Sequence, residues 1–471
     1  MPMSMSSPNT PPRLLPPDDA QRRVLHDEVH ARPSSTITLP ALVVSVALLN
    51  EDTRREQELE HLRRLPGQAG LAASDLKGNY CVLLLPQGQL SWERHTEFTR
   101  YVWCQPLPAQ AGLGAVDPDL LPDLGLPAGW LAELPGRTLA AIKLVMLHAD
   151  LCDAHAALDQ ARTWFGERQV VASLMGNPAV LQPAGSAAGA AAAQPGPPAS
   201  AERGHSCVVT DFRLRDTGFE RMLVLAPPGT SPTRAGRISQ RLLELEIYRL
   251  VALRGLPVAK SLSPMLAACE ADLAQITAEL EDRAVSDQAL LDRLTALAVR
   301  VERSTAEHGY RFSATQAYHA IVKQRIAELR EKPISGTQTV GEFMQRRLSP
   351  AMATVDSTAN RLHSLSQRIE RAGALLRTRV DIATEAQNHQ LLAKLTRGQE
   401  LQLKLQSTVE GLSIAAISYY VISLLLYAAK AAQRAGLPLQ PEIAAGAAVP
   451  LVLWGVWRTV RRIHDKLQKI S

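Results

Sequence analysis

One uncharged apolar run near the carboxyl end constrains the fold more than any other feature of the sequence. The run reads GLSIAAISYYVISLLLYAA and extends from Gly411 to Ala429, between Glu410 and Lys430. A helix needs about 20 apolar residues to cross the hydrocarbon core of a bilayer. Residues 411–429 are therefore predicted to form a first transmembrane helix.

A second apolar stretch, which ends in IAAGAAVPLVLWGVW, occupies residues 437–457. Trp454 and Trp457 lie beside a basic tail at 458–471, and this pattern is typical of the aromatic belt and cytoplasmic anchor of a membrane protein. We predict a second transmembrane helix over 437–457. The alternative is that both stretches form a buried helical hairpin in a soluble protein.

The basic residues around the two spans predict their orientation. Lys394, Arg397 and Lys404 precede the first span and five basic residues follow the second, whereas the connecting loop has only Lys430 and Arg434. Because cytoplasmic loops carry an excess of Lys and Arg, we expect both termini to be cytoplasmic. The start of the chain is rich in Pro and Ser and lacks the apolar core of a secretory signal, which predicts a disordered lead over residues 1–24.

The composition indicates a mostly helical, reduced protein at a membrane surface. Hydrophobic residues make up 46% of the chain and aromatic residues only 4%, which favours Ala- and Leu-rich helices. The 51 basic residues exceed the 46 acidic ones only modestly, so we expect the lipid bilayer, and no nucleic acid, as a partner. The five cysteines form no C-x-x-C pair, which argues against a zinc ribbon or a disulfide framework.

The middle of the chain has a helical pattern over residues 236–410. Four helical segments are predicted. Their breaks are expected near Gly255 to Pro264, Gly309, Pro333 to Gly336 and Pro350. From Met352 to Ala429 a nearly continuous helix would measure roughly 115 Å at 1.5 Å per residue.

Apolar residues along this helix recur every seven positions, as in a coiled coil. They are Val355, Leu362, Ile369, Leu376 and Ala383. The seam could pack on the chain's own segment from Pro264 to Glu307, or it could build a homo-oligomer. Within the first span, Ser413, Tyr420 and Tyr427 form a polar stripe, which is expected to face protein or to line a pore.

Residues 25–230 alternate apolar runs with turn signals and are predicted to form a cytoplasmic α/β or α+β domain. The predicted strands are TITLPALVVSVALLN, YCVLLLP, LSWERHTEFTRYVW, LAAIKLVMLH, RQVVASLM, CVVTDFRLRD and FERMLVLAP, and EDTRREQELEHLRRL is a predicted charged helix. Residues 183–204 are of low complexity and are interpreted as an exposed insertion.

Two H-x-E patterns in this domain raise the possibility of a metal site. In an extended strand, alternate side chains share a face, so each pattern would present its own group of imidazoles and carboxylates. The candidate metal ligands are His26, Glu28, His30, Glu93, His95 and Glu97. Imidazole nitrogen and carboxylate oxygen suit a divalent metal such as Zn, Mn or Fe, and a nearby acid could act as a general base.

The alternative is a structural network of hydrogen bonds and ion pairs among the same groups, closed by Arg32, Arg94 and Arg100. We favour this alternative because the sequence contains no Walker loop, Rossmann fingerprint or nucleophile elbow to support an enzyme. The expected function is a scaffold or a transport-like homo-oligomer. The alternatives are a cation channel and a membrane-tethered metalloenzyme that uses the HDEVH and RHTEF motifs.

Several motifs resemble a bacterial family of membrane-anchored proteins with a domain of unknown function. They are LHDEVHARP, WERHTEFTRY, TDFRLRDTGFERMLVL, GRISQRLLELEIYR, LLRTRVDIATEAQN and TVEGLSIAAISYY. The resemblance covers nearly the whole chain from Leu25 and implies an inner-membrane protein, without assigning a catalytic role to any residue. The layout is also similar to that of CorA-type magnesium channels, but the Gly-Met-Asn signature of such channels is replaced by LLLYAAKAAQRAG.

Overall fold

The computed structural model describes most of the chain as two compact units. The described residues are 19–22, 36–76, 78–113, 124–151, 153–166, 169–176, 204–281, 285–435 and 440–468. The first unit comprises the described parts of Met1–Gln275 and Thr295–Ile369, and the second those of Ile276–Leu294 and Glu370–Ser471. The predicted lead over 1–24, apart from 19–22, and the predicted insertion at 183–204, apart from Gly204, lie outside the described residues.

The strands of the described chain all precede the longest helix. They are β1 (Ala41–Leu49), β2 (Tyr80–Leu85), β3 (Gly88–Arg94), β4 (Phe98–Pro106), β5 (Arg137–His148), β6 (Val171–Met175), β7 (Ser206–Leu214), β8 (Glu220–Ala226) and β9 (Lys332–Pro333). The α-helices are α1 (Arg55–Arg63), α2 (Ala154–Arg162), α3 (Pro232–Leu253), α4 (Gly255–Glu279), α5 (Asp287–Leu329), α6 (Val340–Arg434) and α7 (Pro441–Gln468).

All nine strands form one mixed sheet in the first unit, in the order β2-β3-β4-β1-β5-β8-β7-β6-β9. Only β5 and β8 pair in parallel among the described strands. β1 is central and almost fully buried, which explains its sequence ALVVSVALL, apolar at every position except Ser45. This sheet followed by long helices confirms the predicted α+β domain with a helical continuation.

Each face of the sheet buries its own layer of side chains. On one face, Leu42 and Val44 join a cluster with Leu62 of α1 and the buried Trp92 and Trp103. On the other face, α3 packs across β1 and β5. Because the sheet is covered on both faces, the inner strands are specified by apolar runs, whereas α3 is specified by its amphipathic pattern.

The prediction of a single strand over LSWERHTEFTRYVW is wrong. β3 ends at Arg94 and β4 begins at Phe98, and the polar residues between them form a tight turn. The His95 amide donates to the Phe98 carbonyl oxygen at 2.8 Å, which closes this turn. The helix α2 was not predicted from sequence, although its N-cap is a clear local signal: Asp153 accepts hydrogen bonds from the amides of His155 and Ala156.

Two predicted helix breaks are also wrong, because Gly309 lies inside α5 and Pro350 inside α6. Pro264 likewise lies inside α4 rather than at its start. An interior proline costs a helix about 3 kcal/mol. Burial of the flanking side chains outweighs this cost, since Leu348 and Met352 beside Pro350 are 3% and 2% exposed.

The predicted continuity from Met352 to Ala429 is confirmed, because α6 is one helix of 95 residues. The first part of its apolar seam is buried, at Val355, Leu362, Ile369 and Leu376, whereas Ala383 is exposed. The helix therefore changes from a packed to an open surface near residue 380.

The packed part of α6 contacts the preceding helices of the same chain. In the first unit, Arg361 pairs with Glu270 of α4 at 2.8 Å. In the second unit, Arg379 pairs with Asp287 of α5 at 2.9 Å, and a Cβ placed on Gly373 would lie 3.6 Å from a Leu294 methyl carbon. These contacts favour packing within the chain, one of the two possibilities left open for the seam.

Candidate functional site

Two helices, α6 and α7, are long and apolar enough to cross a membrane. The best window of α6 has a mean hydropathy of 1.9, and the corresponding window of α7, within Pro441–Arg462, has 1.5. Only 6% of each window is buried inside the protein. An ordinary core helix of a soluble protein would be mostly buried, and these two windows differ from such a helix in their exposure.

The end of α7 carries a belt of aromatic and cationic side chains. The Arg458 guanidinium lies 5.0 Å from the ring centre of Trp454, and the Arg461 guanidinium lies 4.9 Å from that of Trp457. Both tryptophans are exposed. A stacked indole and guanidinium is a typical arrangement at the boundary between hydrocarbon and headgroups, where one end of the side chain is apolar and the other is hydrated.

The polar stripe of the first span is open in this single chain. Ser413, Tyr420 and Tyr427 are all exposed, whereas Ser418 of the same span is buried. A hydroxyl in hydrocarbon requires a hydrogen-bond partner, because leaving it unpaired is costly. The stripe is therefore available for contact with another polar surface.

The candidate metal ligands are only partly within the described chain. His26, Glu28 and His30 lie outside the described residues, as does Arg32. Glu93, His95 and Glu97 are described, and they lie at the turn between β3 and β4 instead of on one continuous strand.

The structure brings Glu93 and His95 together. The His95 Nε2 lies 3.3 Å from a Glu93 carboxylate oxygen, and Arg100 pairs with the other oxygen of Glu93. The His95 ring also stacks on Phe98 with 4.3 Å between ring centres. Burial lowers the pKa of the Arg100 guanidinium, but the carboxylates of Glu93 and Glu244 outweigh it and raise this pKa above its ordinary value.

Glu97 is held by a different set of partners, all from the helices of the first unit. Its carboxylate accepts hydrogen bonds from Arg311 at 2.5 and 3.2 Å, from Arg254 at 3.4 Å and from the Tyr310 hydroxyl at 3.2 Å. Only 6% of the Glu97 side chain is exposed. The turn is thus fastened to α5 and to the end of α3 by a buried carboxylate between two guanidinium groups.

A second buried carboxylate fastens the same turn to α1. Glu58 is fully buried, pairs with Arg94 at 2.6 Å and accepts a hydrogen bond from the Thr99 hydroxyl at 2.6 Å. Asn50 donates to both Thr99 and the His95 carbonyl oxygen. Sequence reasoning missed Glu58, because a glutamate in a charged amphipathic helix gives no signal that it faces inward.

The described side chains around the turn are engaged mainly with cations and hydroxyls. Within the described ranges, no three His, Cys, Asp or Glu side chains are grouped closely enough to hold a metal ion. The predicted site also includes His26, Glu28 and His30, so the metal hypothesis as a whole stays a prediction.

The described cysteines have the environment of packed thiols. Burial raises the pKa of Cys81 to about 11 and that of Cys207 to about 12. A thiol with such a pKa is almost entirely protonated at neutral pH, and the thiolate is the reactive form. In their buried positions, these two cysteines are therefore poor nucleophiles and poor metal ligands.

The metal hypothesis has a direct test. We expect His95→Ala to lower the free energy of unfolding by roughly 1–3 kcal/mol, because it removes a ring that contacts Glu93 and Phe98. We also expect the purified full-length protein to contain no stoichiometric transition metal, as measured by elemental analysis. About one Zn, Mn or Fe per chain, lost in His95→Ala while the fold survives, would instead support a metal centre.

The architecture defines a class of protein: an α+β sheet domain followed by long helices, with two carboxyl-terminal helices that are apolar enough to span a membrane. The chain belongs to the family described as Protein of unknown function (DUF3422), whose model matches residues 17–467. The predicted membership of an uncharacterised family is thereby confirmed. No curated protein and no solved structure was found to match the chain.

Proposed function

We propose that this protein is a scaffold or transport-like assembly of the bacterial inner membrane, anchored by α6 and α7 with its sheet domain in the cytoplasm. The observation that carries the proposal is the exposure of two apolar helices, each with only 6% of its apolar window buried. In a bilayer such surfaces are solvated by lipid tails, whereas in water they would form an extended apolar patch.

The proposed orientation places both termini on the cytoplasmic side. Trp454 and Trp457, with the arginines stacked on them, mark the cytoplasmic end of α7. Lys394, Arg397 and Lys404 mark the side from which α6 enters. The last turns of α6, whose basic residues are only Lys430 and Arg434, would then lie on the opposite side.

Reporter fusions to the full chain test this topology. Alkaline phosphatase, which is active only outside the cytoplasm, is expected to be active when inserted after Gln433 and inactive when fused after Ser471. Green fluorescent protein should give the opposite pattern. If both positions report the cytoplasmic side, α6 and α7 form a re-entrant or surface-lying segment and the two-span proposal is wrong.

A homo-oligomer is the second part of the proposal. The polar stripe of Ser413, Tyr420 and Tyr427 is uncovered in one chain, and a second copy would supply hydroxyl partners within the hydrocarbon. Apolar side chains are also exposed on α6 before the span and at its start. They include Leu391, Leu395, Leu405, Val409 and Leu412, which are between 51% and 71% exposed.

The oligomer proposal predicts a defined mass greater than that of one chain in mild detergent, as measured by light scattering coupled to gel filtration. The double variant Tyr420→Phe with Tyr427→Phe is expected to weaken this association, since it removes two hydroxyl groups from the stripe. Tyr419→Phe is the matched control, because Tyr419 is equally exposed but lies on another face of the helix. A monomeric mass in every mild detergent would remove the oligomer and any pore that depends on it.

A further inference from the structure

We propose that the first unit contains a binding site for a phosphate-bearing anion, in a cleft between the first turns of α3 and the end of α5. This site goes beyond membrane anchoring and assembly, because it assigns a ligand class to the sheet domain. The shared chemistry is a diphosphate or a similar cluster of anionic oxygens, carried either by a free phosphate compound or by a lipid headgroup.

The cleft has a volume of about 270 Å³ and is lined by arginines from two elements. Arg234, Arg237 and Arg241 project from α3, and Arg330 directly follows α5. Spacings of three and four residues place the three α3 arginines on one side of the helix. Their mutual repulsion destabilises the helix slightly, so this clustering is not explained by the stability of α3.

Two of these arginines are oriented by main-chain oxygens. Arg234 donates to the Gly204 carbonyl oxygen, and Arg241 donates to the Glu328 carbonyl oxygen at 3.1 Å. Gly176 leaves room for the first contact, since a Cβ at that position would lie 2.7 Å from the Arg234 Nη2. A carbonyl oxygen fixes the direction of a guanidinium group without neutralising its charge.

The carboxylates at the cleft do not balance its positive charge. Glu328 is the acidic residue of the lining; its carboxylate pairs with Arg325 at 2.8 Å and lies 3.6 Å from Arg241. Among the described residues, no ion pair or hydrogen bond is made by the side chains of Arg237 and Arg330. Burial, and then the charge of Arg237, lower the pKa of Arg234 below its ordinary value, as expected in an uncompensated positive field.

The backbone of Arg330 supplies an independent observation. This residue has φ 48°, in the left-handed region, directly after the last residue of α5. Glycine or asparagine normally occupies that position at the end of a helix, because other side chains are strained there. An arginine at a position that favours glycine indicates that its side chain has a use, and this residue lines the cleft.

Phosphate oxygens match this arrangement. The planar guanidinium fork donates two parallel hydrogen bonds to a phosphate, and such charge-assisted bonds are about twice as strong as neutral ones. Four guanidinium groups around one cleft provide more hydrogen-bond donors than the single carboxylate of a peptide can use. A ligand with several anionic oxygens is therefore the class that the site fits.

The test is calorimetric titration of the full-length protein, in micelles of a neutral detergent, with inorganic pyrophosphate. Arg237→Gln and Arg330→Gly are each expected to weaken binding about tenfold or more, because each removes a charge-assisted contact. Arg330→Gly is expected to keep or raise the melting temperature, since glycine relieves the left-handed backbone, so a loss of binding by this variant is not a loss of fold. Arg303→Gln removes an exposed arginine from the same helix α5 and is the matched control, expected to bind as the wild type does.

A second arm separates the two sources of phosphate. Micelles that also contain phosphatidic acid are expected to compete with pyrophosphate if the ligand is a lipid headgroup, and to leave its binding unchanged if the ligand is a free phosphate compound. Either result supports the site if Arg237→Gln and Arg330→Gly weaken the binding that is observed. The proposal is overturned if neither pyrophosphate nor phosphatidic acid binds, or if Arg303→Gln reduces binding as much as Arg330→Gly does.

Discussion

Glu97→Gln is expected to lower the free energy of unfolding of the first unit by about 3–5 kcal/mol. The substitution keeps the size of the side chain but removes the charge that lies between Arg254 and Arg311. The side chains of these arginines are only 24% and 13% exposed, so water cannot replace the lost partner fully. A buried cation without its counter-ion accounts for most of the expected loss.

Urea unfolding followed by tryptophan fluorescence measures this effect, because four of the six tryptophans lie in the sheet domain. Glu60→Gln is the matched control: Glu60 pairs with Arg63 on the surface of α1, where its side chain is 64% exposed, and its loss should cost no more than about 0.5 kcal/mol. Equal, small effects of the two substitutions would show that the cluster around Glu97 does not hold the turn to the helices.

The parts of the fold that were predictable are those whose signal is local. β1 is specified by a run that is apolar except for Ser45, as expected of a strand covered on both faces, and α6 by a long absence of helix breakers after Pro350. The exposed apolar windows of α6 and α7 were likewise predictable from sequence, because both segments are long and rich in apolar residues. Hydrophobic length and period are properties of neighbouring residues, so a sequence displays them directly.

The partners in the candidate site were not predictable, because they are distant in sequence. Glu97 is separated from Arg254 by 157 positions and from Arg311 by 214. No local pattern reports which of the many arginines of the chain a given glutamate will meet. The turn at His95 was missed for a related reason: a polar tripeptide between two alternating segments is compatible with both a continuous strand and a hairpin.

The arginine cleft was only partly predictable from the sequence. The spacing of Arg234, Arg237 and Arg241 within GRISQRLLELEIYR could have indicated a basic face on one helix. The addition of Arg330 and the strained backbone at that residue come only from the tertiary structure. A periodic charge pattern therefore predicts a basic face on one helix. Only the tertiary structure shows whether other elements add residues to form a site there.

A buried acid of the sheet domain, Glu220, is the basis of the second prediction with a large expected effect. Glu220 of β8 is close to Glu246 of α3, and Arg249 pairs with Glu246 while its guanidinium lies 3.8 Å from Glu220. Burial, and then the negative charge of Glu246 and a hydrogen bond to it, raise the pKa of Glu220 to about 9. At neutral pH this side chain is therefore protonated in the folded protein and ionised in the unfolded chain.

The stability of the wild type is expected to fall as pH rises from about 4.5 to about 9, because the folded state holds a proton that the unfolded state has released. The slope that this group gives to the free energy of unfolding approaches about 1.4 kcal/mol per pH unit between those limits. Below the lower limit both states are protonated, so the slope is zero and the stabilisation is fully present. Glu220→Gln is neutral at every pH and should lack this slope. We therefore expect the free energy of unfolding of Glu220→Gln, relative to that of the wild type, to increase from pH 6 to pH 8 in urea titrations. Parallel pH profiles for the two proteins would show that Glu220 is already ionised in the fold, with Arg249 shared between two carboxylates.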